Sequence, residues 1–191
     1  MPEFELFHEK FGAGVCHERP DDDTLTRLST ALPPELISEW RQSGLCSYAD
    51  GLLWFVNPER FSASIAEWLG KERSMLAFAR TSFGNLFLCD SNGTAHRLDV
   101  HYGTLREIGP LRIVVECSFT EDDYLAHVIN RSLHKRCTKR LGEPEPDEMF
   151  TFEPALVLGG SEEAKNARKV AIFPQLSILA QLHGGIAETQ S

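Results

Sequence analysis

Ser91-Asn92-Gly93 stands between two runs of β-prone residues, Asn85 to Cys89 and Thr94 to Val100. An Asn-Gly pair supplies the positive φ angles of a tight hairpin turn more readily than other dipeptides. In the second run Thr94, His96, Leu98 and Val100 share one face and Ala95, Arg97, Asp99 and His101 the other. That is the period-two pattern of a strand with one buried side. The stretch therefore predicts a β-hairpin within an antiparallel sheet that is covered on one face. Phe83-Gly84 before it and Tyr102-Gly103 after it each pair an aromatic ring with a glycine, which suits tight reversals bounding a meander.

The rest of the chain supplies mostly helices. Residues 1–20 carry Phe4, Leu6, Phe7 and Phe11, enough apolar surface to dock on a core but with no period that fixes their structure. Asp23 or Thr24 can cap a short helix through Leu25, Leu28 and Leu32. Pro33-Pro34 stops it and starts another, with Leu36, Ile37 and Trp40 on one face and Gly44 at its end. Leu52 to Val56 reads as a buried strand, and Asn57-Pro58 opens a helix striped by Phe61, Ile65, Trp68 and Leu69 and closed by Gly70. Ile108 to Cys117 fits either a strand or a short helix.

From Thr120 the pattern predicts one long helix reaching Gly142, with Leu125, Val128, Ile129, Leu133, Cys137 and Leu141 buried. Glu121, Asp122 and Asp123 come first and Arg131, Lys135, Arg136, Lys139 and Arg140 last, as the helix dipole favours, so the basic cluster needs no ligand. A Pro- and acid-rich connector leads to two apolar runs, Met149 to Phe152 and Ala155 to Leu158. Ser161 is then expected to cap a short polar helix, and Leu176, Leu179 and Leu182 mark a last helix ended by Gly184-Gly185. The tail after Ile186 is expected to fray. The fold class that follows is α+β: a central antiparallel β-sheet, a meander, flanked by N-terminal and C-terminal helices. Residues 1–110 would hold the N-terminal region with the sheet and 111–191 a helical C-terminal region, packed together as one globular unit.

Charge narrows the function. With 28 Asp and Glu against 19 Lys and Arg, the formal net charge is -9, the wrong sign for a surface that grips phosphate backbones. A basic partner fits better than nucleic acid. The acids cluster at Asp21, Asp22 and Asp23, at Glu121 to Asp123, and at Glu143, Glu145, Asp147 and Glu148; runs of this kind also occur as plain solvated loops and helix starts. No run approaches the roughly 18 apolar residues of a membrane span, and the acidic start is unlike a secretory signal, so a cytoplasmic protein is expected. The five cysteines are scattered, odd in number and without a CxxC, which favours reduced structural thiols.

The residues that could carry chemistry do not assemble a reaction. His96 and His101, five apart on a strand, point to opposite faces and would not share a metal. Cys89 could meet His96 or His101 across the hairpin as a Cys-His nucleophile, but it lacks an orienting group and reads as an inert strand residue. Leu158-Gly159-Gly160-Ser161-Glu162-Glu163 has neither the lysine of a P-loop nor GxGxxG spacing, and its glutamates would repel phosphate. Trp40, Trp54 and Trp68 sit on apolar faces and read as core. No catalytic residue, metal or cofactor is expected.

The order of motifs is more specific than any one of them. NPERF and EWLG, then FARTSFGNLFLCD, DVHYG, KRLG, and PALVLGGSEEAKNARKV before LAQLHG, spanning Phe4 to Gly184, resemble bacterial immunity proteins. Those proteins join a GAD-like domain to the C-terminal domain of type VI secretion DNase-immunity proteins. A broader similarity is to the SMI1/KNR4-like immunity fold, an α+β domain with a central antiparallel sheet. The resemblance implies a protein that is not an enzyme and that binds an antibacterial nuclease toxin made beside it. An acidic inhibitor suits a nuclease that must present a positive surface to DNA. Asp21, Asp22 and Asp23 with Glu143, Glu145, Asp147 and Glu148 are then the candidate toxin-facing residues. The competing readings are a regulatory module of the same fold that binds an endogenous basic protein, and an enzyme built on Cys89.

Overall fold

The computed structural model describes residues 3–186; the tail after Ile186 lies outside the described residues. Seven strands, β1 (Val15–Glu18), β2 (Leu45–Tyr48), β3 (Leu53–Phe55), β4 (Leu76–Thr81), β5 (Leu86–Cys89), β6 (Thr94–Asp99) and β7 (Thr104–Pro110), form one antiparallel sheet in sequence order. The Asn-Gly hairpin joins β5 to β6, with Cys89 opposite Ala95 and Leu86 opposite Leu98. Asp90 pins the turn by accepting the Asn92 and Thr94 amides at 2.8 and 3.0 Å. The meander is as the sequence predicts.

Both faces of the sheet are covered, which corrects the expectation of a half-covered one. On one face Phe55, Phe78, Phe87, Cys89 and Ala95 pack in a common cluster with buried residues of α2 (Asp22–Leu28), α3 (Pro34–Ser43), α5 (Leu111–Glu116) and α6 (Asp122–His127). Phe4 and Phe7 of the α1 region (Glu5–Phe11) join that cluster, and β1 pairs with β2, so the first residues are part of the main body. On the other face Trp54, Val56, Ala77, Leu86, Leu88 and Leu98 meet α4 (Pro58–Leu69) and α8 (Ile172–His183). The central strand β5 is apolar on both sides, as a strand buried on both faces must be, and β4 is so until it reaches Arg80 and Thr81; β6 alternates because it lies one strand from the sheet edge.

Local signals placed most boundaries. Pro58 begins α4 after an Asn57 cap that accepts the Glu59 amide, and Gly70 ends it. The cap of α2 is Asp21, whose carboxylate accepts the Thr24 amide at 2.8 Å, in place of the expected Asp23 or Thr24. Ile108 to Cys117 resolves into both alternatives, the end of β7 followed by α5.

The expected long helix from Thr120 is broken into α6 and α7 (Arg131–Leu141). Asn130 adopts a left-handed conformation, φ 62°, and its side chain accepts the Leu133 amide. The break has a packing cause. Leu125 and Ile129 bury in the first sheet cluster, whereas Leu133 and Cys137 bury in a third cluster with Phe83, Phe150 and Phe152. One straight helix does not reach both. Arg131 consequently stands at a helix start, where it pairs with Asp122 at 3.1 Å.

A second sheet was not anticipated: β8 (Glu148–Phe152) pairs antiparallel with β9 (Ala167–Ala171). The polar helix expected after Ser161 is instead a 3-10 turn over Ala164–Asn166, with Asn166 donating to the Ser161 hydroxyl at 2.8 Å. This small sheet docks on the β4–β5 turn, where Phe83 stacks on Phe152 and the Phe150 amide donates to the Ser82 carbonyl. Gly84 in that turn has φ 76°, and a Cβ there would lie 2.5 Å from the Met149 methyl. Gly84→Ala is expected to cost about 1–3 kcal/mol through the left-handed backbone, read from its urea unfolding midpoint.

Candidate functional site

Two acidic segments distant in sequence are each tied to the first turn of α4 through an arginine. Arg27 of α2, one turn beyond Asp21 to Asp23, donates to both carboxylate oxygens of Glu59 at 3.0 and 3.1 Å. The next residue, Arg60, pairs with Asp147 of the connector at 2.7 Å. Asp21 is committed to its cap, but Asp22 is almost wholly exposed and lies 3.6 Å from Arg41. In the connector, Glu148 accepts the Glu145 amide and pairs with Lys169, which also donates to the Glu143 carbonyl. Of the seven acids picked out in the sequence, Asp147 reaches the start of α4 directly through Arg60, and Asp21 to Asp23 belong to the helix whose Arg27 reaches it. Several are held by local pairs whose exposed geometry is worth little to stability.

Beneath the connector lies Arg80, which sequence reasoning missed. It is fully buried, with its guanidinium 4.3 Å from the centroid of a Trp54 ring. It donates to the carbonyls of Thr81, Glu145 and Pro146 at 3.2, 3.4 and 3.0 Å. Among the described residues no carboxylate pairs with it. Burial lowers its pKa to about 9, so it stays cationic at neutral pH. The alternating pattern of β4 places an arginine inward, and the only signal for that in the sequence is a charged residue inside an otherwise apolar strand.

A polar cavity of about 220 Å³ opens on the other side of the β4–β5 turn. Its walls come from Phe83 and Asn85, from Arg97 to Tyr102 on β6 and the turn after it, from the α6–α7 junction, and from Phe152 and Glu162. Asn85 accepts the Val100 amide at 3.0 Å and Asp99 accepts the His101 and Tyr102 amides at 3.2 Å, so short polar side chains fix the backbone around the opening. Arg97 donates to Asp99. FGN, DVHYG and the GGSEE loop therefore converge on one place.

The Cys-His pair does not form. Cys89 is buried on the Phe87 side of the sheet, with its thiol pushed up to about 12 by burial. His96 lies opposite Leu88 and bonds Asp90 at 3.1 Å, and His101 is enclosed against Phe83 and Phe152. Among the described residues no three His, Cys, Asp or Glu side chains group as metal ligands, and no helix is long and apolar enough to cross a membrane. All three tryptophans are core residues.

Comparison with known proteins agrees with the motif order. Residues 3–101 match the family model described as GAD-like domain, and residues 115–183 match the one described as T6SS immunity protein Tdi1, C-terminal. No curated protein matches the chain. Among solved structures it is similar to the crystal structure of Atu4351 from Agrobacterium tumefaciens, at TM-score 0.80 and 20% identity over 93% of this chain and 88% of that one. At that identity the likeness speaks for the fold.

Proposed function

Because this chain belongs to the type VI secretion immunity proteins with a GAD-like domain, we propose that it neutralises its cognate toxin by one-to-one binding, and that the toxin is a nuclease. The observation that carries this reading is the net charge of -9, with two acidic segments tied through Arg27 and Arg60 to the first turn of α4. A nuclease concentrates Lys and Arg where it holds DNA. An acidic face that occupies that surface excludes the substrate and speeds its own association by steering. All five cysteines are free, which suits a reducing cytoplasm.

The first test is co-expression with the product of the adjacent toxin-like gene in a sensitive bacterium, followed by co-purification. Rescue with a one-to-one complex is the expected result; neither rescue nor complex would overturn it in favour of an endogenous basic partner. The acidic face has its own test in Asp22→Lys with Asp23→Lys, which leaves the Asp21 cap intact. The double variant is expected to associate about tenfold more slowly at low salt and to show a flatter salt dependence. Unchanged association kinetics would remove this face from the account.

A further inference from the structure

We infer that the cavity between β6 and the α6–α7 junction receives an arginine side chain of the cognate toxin, an inference that rests on the toxin-binding reading above. The cavity lies at the seam between the two matched regions, with Phe83 to His101 on one side and the α6–α7 junction and Glu162 on the other. A partner engaging it touches both halves of the chain at once.

Its charges are unbalanced. Asp99 and Glu162 face one guanidinium, Arg97, which is already engaged by Asp99, and besides His101 the other basic side chain on the wall is His127. Among the described residues Glu162 has no ion-pair partner within 4 Å; partial burial followed by the neighbouring Asp99 holds its carboxyl above the usual range, against the opposing pull of Arg97 and the Tyr102 hydroxyl. A second cation at this position would relieve both effects.

The acceptors are also in place. His101 is 3% exposed, and its Nε2 lies 2.9 Å from the Phe83 carbonyl, a contact that requires the ring to donate there. Burial lowers its pKa, so the ring is neutral and Nδ1 is left as a lone-pair acceptor. Nδ1 makes no hydrogen bond to the described residues. With Asp99, Glu162 and the Tyr102 hydroxyl it offers several acceptors to one incoming donor. A guanidinium, with five N–H groups in a planar fork, satisfies more of them than an ammonium does.

Size and rim exclude a larger guest. Small-molecule sites run to about 300–1,000 Å³, and 220 Å³ suits a single side chain. Tyr102 is 56% exposed at the edge, and the loop that carries Glu162 also carries Leu158, 64% exposed, and Val157. The Tyr102 ring gives the opening an aromatic edge, and an aromatic edge beside a charged centre helps an interface keep water from an ion pair.

The test measures toxin kinetics for Glu162→Gln and Glu162→Arg against the wild type, using the catalytically inactive product of the neighbouring toxin-like gene immobilised on a sensor surface. Glu162→Gln keeps the shape and removes the charge. Its dissociation rate is expected to rise about tenfold or more while association changes little. Glu162→Arg supplies a guanidinium from within and is expected to weaken binding further. Because Glu162 is only partly covered in the free protein and makes no ion pair there, both variants should melt no lower than the wild type. Wild-type dissociation rates in both variants would overturn the cavity and leave toxin binding standing. A wild-type protein that does not bind the toxin would overturn both.

Discussion

Truncating Arg80 to alanine is expected to remove about 3–5 kcal/mol of folding stability, measured by urea unfolding at pH 7. The side chain is fully buried, fills the space beneath Trp54 and serves three carbonyl groups. Alanine leaves a cavity and orphans those acceptors together. Arg80→Met restores the stem volume but not the donors, so it should fall between alanine and wild type. Methionine at wild-type stability would mean that the guanidinium adds nothing beyond its bulk. The same variants link stability to the acidic face. Glu145 and Pro146 are anchored from below by Arg80, and Asp147 follows them. Amide exchange over residues 145–148 should therefore quicken in Arg80→Ala beyond the global change, and toxin association should slow.

The elements that were legible in the sequence are those whose boundaries rest on local chemistry. The Asn-Gly turn, the Asn57-Pro58 helix start and the Gly44 and Gly70 stops are decided within a few residues, and each stands where expected. The misread elements depend on distant partners. The left-handed Asn130 is a consequence of Leu125 and Leu133 belonging to different clusters, and nothing between Thr120 and Gly142 breaks the helical period. β9 reads ARKVA, a polar stretch that becomes a strand because β8 is beside it. The covering of the second sheet face likewise needs α8, more than 70 residues beyond β6 in the chain.

The site divides in the same way. The acids of the α4 face were visible as charge runs, but their link to α4 depends on Arg27 with Glu59 and Arg60 with Asp147, pairs separated by 32 and 87 positions. Asp99, His101, Tyr102 and Glu162 were visible only as members of motifs. Asp99 and His101 had been assigned to one face of a strand by alternation, and the turn after β6 gathers them with Tyr102 at one opening. A motif's residue order carries information about a family; its chemistry appears only when the chain brings the motifs together.

Acid should loosen the seam through His134. This α7 residue is 2% exposed, its Nδ1 is 2.9 Å from the Ser82 hydroxyl, and it joins the C-terminal half to the main sheet. Burial lowers its pKa from 6.5 to about 4, with Asp50 opposing the shift and Lys135 adding to it. Between those values the unfolded chain binds a proton that the folded chain refuses. Stability is therefore complete above about pH 6.5 and falls as pH drops toward 4, by about 3 kcal/mol from this group. His101, whose pKa is also lowered by burial, acts in the same direction. Carboxylates held low by hydrogen bonds, such as Asp122 with Lys10, add their loss only at still lower pH. His134→Leu cannot take the proton. It should be less stable than wild type at pH 7, by about 1 kcal/mol for the lost Ser82 bond, yet lose clearly less stability than wild type between pH 7 and 4.5, the remaining loss coming from His101. Urea midpoints at half-unit intervals from pH 7.5 to 4 test the difference, since a variant as acid-sensitive as the wild type would acquit His134. If the slope flattens as expected, the bond between α7 and the β4–β5 turn is the acid-labile link, and exchange of the β8 amides should rise with that of α7 as the pH falls.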